Sequence, residues 1–294
     1  MAQLRVATRG SPLARWQAQR VVDLLGTEAE LVVVETSGDR RADAPIHTIG
    51  GTGVFVKEVQ QAVLEGRADI AVHSAKDLPS DDAPGLVIAA VPERGDTRDA
   101  LVGSTLDALP TGARVATGSV RRRAQLASLR PDLGFAELRG NMETRLSKAA
   151  DHDAIVVAAA ALDRLGLAGQ IAERLEPSLM LPQVAQGALA VECRVDDDRT
   201  RQHVAAIDDA ALHRAVTAER AFLAELGGGC NLPCGALAEA GDADVEIQVM
   251  LASLDGRVVL RARAAASDAV DAGREAARDL LDERGGRKLL EDVA

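Results

Sequence analysis

Three features of the sequence gather side chains that can do chemistry. Cys230 follows Gly227-Gly228-Gly229, so a flexible glycine loop displays this thiol, whereas most cysteines are buried as small hydrophobes. His73-Ser74-Ala75-Lys76-Asp77 follows directly on Ile70-Ala71-Val72. A buried strand there delivers Lys76 and Asp77 to its carboxyl edge, where an acid can stabilise a cation while the lysine holds an anion. Strand-end charges also serve as helix caps and surface pairs, and position alone leaves both readings open. The third feature is arginine beside serine. Arg9 precedes Ser11, and Arg121 and Arg122 follow Ser119 at what read as helix starts. A cation there opposes the positive end of the helix dipole, an arrangement that suits an anion bound between the guanidinium groups. Arg123 reads as part of a solvated face.

Other chemistries find little support. Cys193, Cys230 and Cys234 make no disulfide framework, and the five histidines show no ligand spacing, so no metal is expected. Cys193, within Ala190-Val191-Glu192-Cys193, reads as a core residue. There is no phosphate-binding loop, nucleophile elbow or dinucleotide fingerprint. A formal net charge of -11 argues against non-specific nucleic-acid binding. Arginines clustered on so acidic a chain instead suggest a small anionic ligand in a pocket. Neither a signal peptide nor a bilayer-spanning run is visible, and the free thiols suit a reducing compartment; a cytoplasmic protein without membrane contact is expected.

The elements that must position these residues are legible as a pattern. At 294 residues the chain suits two or three domains, and with 1% aromatic residues and no Tyr its core must be aliphatic. Apolar strands at 4–8, 31–36, 69–73 and 86–91 alternate with helices that begin at Ser11-Pro12 and near Val54, which predicts a mostly parallel α/β sheet. The pattern then repeats. Arg5-Val6-Ala7-Thr8-Arg9-Gly10-Ser11 is echoed by Arg114-Val115-Ala116-Thr117-Gly118-Ser119, and the stretch from Asp69 by the stretch from Asp153. Two lobes of one architecture follow, unless the echoes are chance matches in an Ala/Val-rich chain. Lobe 1 comprises 1–92 and 188–206, lobe 2 comprises 98–181, and 93–97 with 182–187 form a hinge. Residues 210–294 read as a small α+β domain: a helix from about Leu212 to Leu226, a hairpin turning at Asp255-Gly256, and a closing helix.

Taken together these segments resemble the porphobilinogen deaminase family. The resemblance is carried by Ala7-Thr8-Arg9-Gly10-Ser11-Pro12-Leu13-Ala14, Phe55-Val56-Lys57-Glu58 and Ala68-Asp69-Ile70-Ala71-Val72-His73-Ser74-Ala75-Lys76-Asp77-Leu78-Pro79. It continues through Thr117-Gly118-Ser119-Val120-Arg121-Arg122, Leu138-Arg139-Gly140-Asn141, Thr144-Arg145-Leu146-Ser147-Lys148, Gln186-Gly187-Ala188, Val191-Glu192-Cys193-Arg194, Thr217-Ala218-Glu219-Arg220 and Gly228-Gly229-Cys230. It implies an α/β fold of two periplasmic-binding-protein-like lobes with mainly parallel sheets, plus the α+β C-terminal domain. It also implies a monomeric transferase that joins four porphobilinogen molecules head to tail into hydroxymethylbilane, releasing ammonia, on a covalent dipyrromethane cofactor.

By the same resemblance Cys230 is the thioether attachment point and Asp77 the catalytic acid. Lys76, Ser74, Thr117, Ser119, Arg121, Arg122 and Arg139 match cofactor binders, and Arg9, Ser11, Arg145 and Arg164 match substrate binders. Each pyrrole bears an acetate and a propionate, which would account for the arginines. The sequence departs from the family at Thr52, and at Thr48 from some members, where lysine is common. A two-lobed receptor for a small carboxylate, or a thiol hydrolase using Cys230, are the competing readings. The first leaves the glycine-cysteine loop idle; the second lacks a recognisable histidine partner.

Overall fold

The structure is a computed structural model that describes residues 3–40, 53, 55–228 and 232–291. The described chain divides into two compact units, one of Met1–Gly95 with Gly187–His213, the other of Asp96–Gln186 with Arg214–Ala294.

The first unit is built on β1 (Leu4–Arg9), β2 (Ala29–Val34), β3 (Ile70–Ser74), β4 (Leu86–Ala90) and β10 (Leu189–Arg194), in the order β2-β1-β3-β10-β4. β1, β2 and β3 are parallel, and β10 runs antiparallel between β3 and β4. The β10 segment, expected to rejoin lobe 1, does so. Helix α1 (Pro12–Leu25) starts where expected: the Ser11 hydroxyl accepts the Ala14 N–H, proline occupies the first turn, and Gly26 ends it at φ +60°. α1 and α7 (Asp198–Ala205) cover the face bearing Val6, Ile70, Val72, Leu189 and Val191. After the short α2 (Ser37–Arg40), α3 (Lys57–Leu64) covers the other face, against Ala7 and Ala71. It begins three residues later than the sequence suggests.

The second unit repeats the plan. β5 (Asp99–Val102), β6 (Arg114–Ala116), β7 (Gly134–Ala136), β8 (Ala154–Ala158) and β9 (Ile171–Leu175) take the order β7-β6-β8-β5-β9, with β6, β7 and β8 parallel and β5 antiparallel. The registers match position for position: Val6 faces Ile70 in one sheet and Val115 faces Ala154 in the other. Asp69 accepts the Arg5 N–H at 2.8 Å, and Asp153 accepts the Arg114 N–H at 2.7 Å. The echoes in the sequence are therefore a structural repeat. Around this sheet lie α4 (Val120–Leu129), α5 (Met142–Ser147) and α6 (Ala159–Arg164).

The same unit contains α8 (Ala210–Glu225) in its greater part and an antiparallel sheet β11 (Cys234–Ala240), β12 (Val245–Ala252), β13 (Val259–Ala266). β11 is an addition to the hairpin legible in the sequence; its run of alanines lacks the β-branched signature of a strand. The face with Val245, Ile247, Val249 and Leu251 is buried, and Met250 and Ala252 on the opposite face pack with Ala124 and Leu181. Glu219 of α8 is fully buried and accepts the N–H groups of Ala185 at 2.6 Å and Ala238 at 2.9 Å, tying the 182–187 segment to this sheet. α9 (Ala269–Arg278) and α10 (Gly286–Glu291) close the chain.

Gly273 marks where α9 crosses α8. A Cβ there would overlap the Ala218 carbonyl oxygen and lie 2.8 Å from the Phe222 nitrogen. Gly273→Ala is expected to destabilise the protein by about 1–3 kcal/mol through overpacking, seen as a lower thermal midpoint with the activity of the folded fraction retained.

Candidate active site

In the first unit, adjacent parallel strands bring two of the predicted groups to one edge. β1 ends at Arg9 and leads into the Ser11 cap; β3 ends at Ser74 and runs into a 3₁₀ turn, Ala75–Asp77. Both carboxyl ends lie side by side, the edge at which α/β sheets present ligand-binding groups. The Thr8 hydroxyl, fully buried, donates to the Ala14 carbonyl at 3.1 Å and fixes the bend between β1 and α1. The Arg9 guanidinium lies 4.2 Å from the centroid of the Phe55 ring, a cation–π contact. The Ala75 N–H donates to the Ala188 carbonyl at 3.0 Å and anchors the turn. Ser74, Lys76 and Asp77 are all half-buried, within reach of solvent and ligand.

In the second unit the equivalent edge carries cations in place of the acid. The Ser119 hydroxyl caps α4 by accepting the Arg122 N–H at 3.4 Å, and Thr117 Oγ1 accepts the Ser119 N–H at 3.2 Å. Gly118 passes so close to Leu138 that a Cβ would sit 2.8 Å from its carbonyl oxygen. Arg145, in α5, donates through Nε to the Gly140 carbonyl at 2.9 Å. Arg139 is half-buried, and desolvation pulls its guanidinium below the ordinary arginine value, against the opposing charge of Glu137. Arg164 closes α6, half-buried. Where β3 leads into Lys76 and Asp77, β8 leads into Ala160 and Ala161. The repeat is thus conserved in backbone and divided in chemistry.

Arg121 and Arg122 are 2% and 6% exposed, far more buried than a helix start ordinarily holds arginine. An anion does lie between them, and it is the protein's own. Asp99, fully buried at the start of β5, takes Arg121 Nη1 on one oxygen and Arg122 Nε on the other, each at 2.8 Å. Gln186 Nε2 adds a hydrogen bond to Asp99 at 3.0 Å and another to the Thr97 carbonyl at 2.8 Å. Two guanidinium groups against one carboxylate leave an excess positive charge in a region of low dielectric. Arg121 Nη1 also donates to the Leu181 carbonyl at 2.7 Å, while its Nε and Nη2 have no hydrogen-bond partner among the described residues. Burial draws the Arg121 guanidinium below its ordinary value, and Asp99 draws it back. Unsatisfied donors on a buried cation are costly unless a ligand meets them.

Asp99 and Gln186 escaped the sequence reading. The only signal was an acid opening an otherwise apolar strand, which reads equally as a solvated strand end. Cys230 lies outside the described residues, as do Thr48 and Thr52. Cys193 is fully buried, and burial pushes its thiol up to about 11, in keeping with a core residue. Among the described residues no cluster of side chains fits a metal ion.

Two family models match the chain. The porphobilinogen deaminase, dipyromethane cofactor binding domain covers residues 4–202, and the porphobilinogen deaminase, C-terminal domain covers residues 213–282. The chain belongs to the porphobilinogen deaminase family. A porphobilinogen deaminase from Roseiflexus sp. (strain RS-1) is 48% identical over 298 residues, covering 98% of each chain. Among solved structures, the VFT2 domain of Bordetella pertussis BvgS aligns over 69% of this chain and 85% of its own, with 18% identity and a TM-score of 0.39. An amino acid ABC transporter substrate-binding protein from Streptococcus pneumoniae aligns over 70% and 87%, with 14% identity and a TM-score of 0.36.

The activity is that of porphobilinogen deaminase: a transferase that condenses four porphobilinogen molecules into hydroxymethylbilane with release of ammonia, in tetrapyrrole biosynthesis. Its cofactor is dipyrromethane. Arg121 is a buried cation whose Nε and Nη2 find no acceptor among the described residues, a chemistry compatible with a carboxylate. No helix among the described residues is long and apolar enough to cross a membrane.

Proposed function

We propose that Asp77 is the acid of this deaminase, that Cys230 carries the cofactor as a thioether, and that the arginine-rich edge of the second unit binds its carboxylates. The observation that carries this is the buried Arg121, with Asp99 on one nitrogen and two others unsatisfied among the described residues. Lys76, Ser74, Thr117, Ser119, Arg122 and Arg139 are proposed to hold the cofactor with it, and Arg9, Ser11, Arg145 and Arg164 the incoming porphobilinogen.

When bound, the cofactor would supply the primer from which the chain of pyrroles grows head to tail. The protein's part is to hold carboxylates and to manage charge. Loss of ammonia makes the substrate carbon electron-poor, and the attacking pyrrole becomes cationic at its ring nitrogen. The Asp77 carboxylate stabilises that cation and assists loss of the ring-carbon proton as the ring regains aromaticity. The guanidinium groups neutralise acetate and propionate in pairs of charge-assisted hydrogen bonds. The division into lobe 1 (1–92 and 188–206), lobe 2 (98–181), a C-terminal domain (210–294) and a hinge (93–97 and 182–187) belongs to the same proposal, as do a monomeric state and a cytoplasmic location.

The test is intact mass under denaturing conditions. The purified protein is expected to exceed its sequence mass by two linked pyrroles, and Cys230→Ser to lack the excess together with turnover. An unmodified, fully active protein would refute the tether.

A further inference from the structure

We infer that Gln60, Glu192 and His73 form a buried bridge that positions the end of β3, and with it Lys76 and Asp77; the inference rests on the reading of Asp77 as the acid. His73 Nε2 lies 3.0 Å from Glu192 Oε2, and the two side chains are only 4% and 3% exposed. Gln60 Nε2, also buried, donates to both Glu192 oxygens at 3.0 Å. The three side chains come from three elements. His73 is the penultimate residue of β3, Glu192 lies in β10, and Gln60 lies in α3.

The strand ladder shows why such a bridge matters. β1 pairs with β3 at Ile70 and Ala71, so beyond Ala71 the strand is paired along its β10 edge. There Ala190 faces His73 and Glu192 faces Ala71, which makes Glu192 and His73 diagonal neighbours on one face of the sheet. The pairing of β10 with β4 shifts register between Val191 and Glu192; irregularities of this kind re-aim a side chain. α3 packs on this same face through Val59, Ala62 and Val63. The bridge therefore crosses an otherwise aliphatic layer and adds a side-chain tie from the end of β3 to both β10 and α3.

Stability does not account for it. An apolar trio of similar volume commonly matches or exceeds a buried polar cluster in stability, whereas loss of one partner alone is costly. What a buried polar contact adds is a defined geometry, and here the defined segment leads in one step into Ser74 and the turn that bears Lys76 and Asp77.

The two roles separate experimentally. His73→Leu/Glu192→Leu removes both partners of the contact at once and should keep its thermal midpoint near that of the parent. Assayed as holoenzyme, with cofactor loading verified by intact mass, it should lose about tenfold to hundredfold in kcat with KM little changed, the signature of a displaced catalytic group. A stable, loaded double variant with parental kcat overturns the inference. Should that variant fail to fold, Gln60→Met decides the question: reduced kcat at unchanged KM is expected, and parental kcat overturns it. Asp77→Asn is measured beside them. Full turnover there overturns the reading of Asp77 and the bridge's role with it; an inactive Asp77→Asn beside a fully active double variant overturns the bridge alone.

Discussion

Asp77→Ala is expected to fold normally, load its cofactor and lose nearly all turnover, by about a hundredfold to ten-thousandfold in kcat. The structural cost should be small, because Asp77 ends a single 3₁₀ turn and is half-buried. That turn is held by the Ala75 N–H to Ala188 and the Leu78 N–H to Ala75, both backbone bonds that the substitution leaves in place. The chemical cost should be large, because a cation forming on a pyrrole is stabilised by a fixed carboxylate placed beside it. KM for porphobilinogen should change little if, as proposed, arginines rather than Asp77 hold the substrate's carboxylates. Ammonia release and bilane formation are measured on the same samples, with circular dichroism to verify the fold. Near-parental rates would remove Asp77 from the mechanism.

The largest effect on stability is expected from Asp99→Asn. The change is isosteric, yet it leaves Arg121 and Arg122 together without the carboxylate that both now contact at 2.8 Å. Breaking a buried ion pair from one side costs about 3–5 kcal/mol, because the remaining charge stays desolvated. A thermal transition lower by roughly 10 °C should result. The pH dependence has a definite sign. Burial alone would raise the Asp99 carboxyl, but the two guanidinium groups overcome it and hold it at about 2. In the unfolded chain an aspartate titrates near ~3.9. The native state therefore binds this proton less readily, so its contribution is complete above about pH 4 and is lost as pH falls towards 2. Thermal midpoints across that window should fall less steeply in Asp99→Asn than in the parent. Equal slopes would place the acid sensitivity elsewhere.

The mechanism residues and the charged core differ in how well the sequence displays them. Arg9, Ser11, Lys76 and Asp77 sit at strand ends, and their neighbours in the chain, an apolar run on one side and a cap or turn on the other, already imply that exposure. Ser11 and Ser119 were recognisable as caps because capping is local: a hydroxyl reaches an N–H three residues on. The repeat was legible for the same reason, since each strand-to-helix unit is short, and Asp69 with Asp153 mark equivalent positions in both copies. β11 was not legible, because its alanines pack only by virtue of neighbours far away in the chain.

Asp99 and Glu192 show the limit most clearly. Each is an acid in an apolar strand, and each is partnered by residues distant in sequence: Asp99 by Arg121, Arg122 and Gln186, Glu192 by Gln60 and His73. Nothing in the neighbouring residues distinguishes such an acid from one facing water.

What the sequence determined by itself was the family, the alternation of strands and helices, and the candidates for acid, anchor and anion binders, all of them carried by short contiguous motifs. The tertiary structure alone decided that two of those arginines are first partners of Asp99, and that the strand bearing Asp77 is braced by a buried bridge. The physical reason is that burial and charge pairing depend on which distant segments share a low-dielectric space, and only the folded chain brings those segments together.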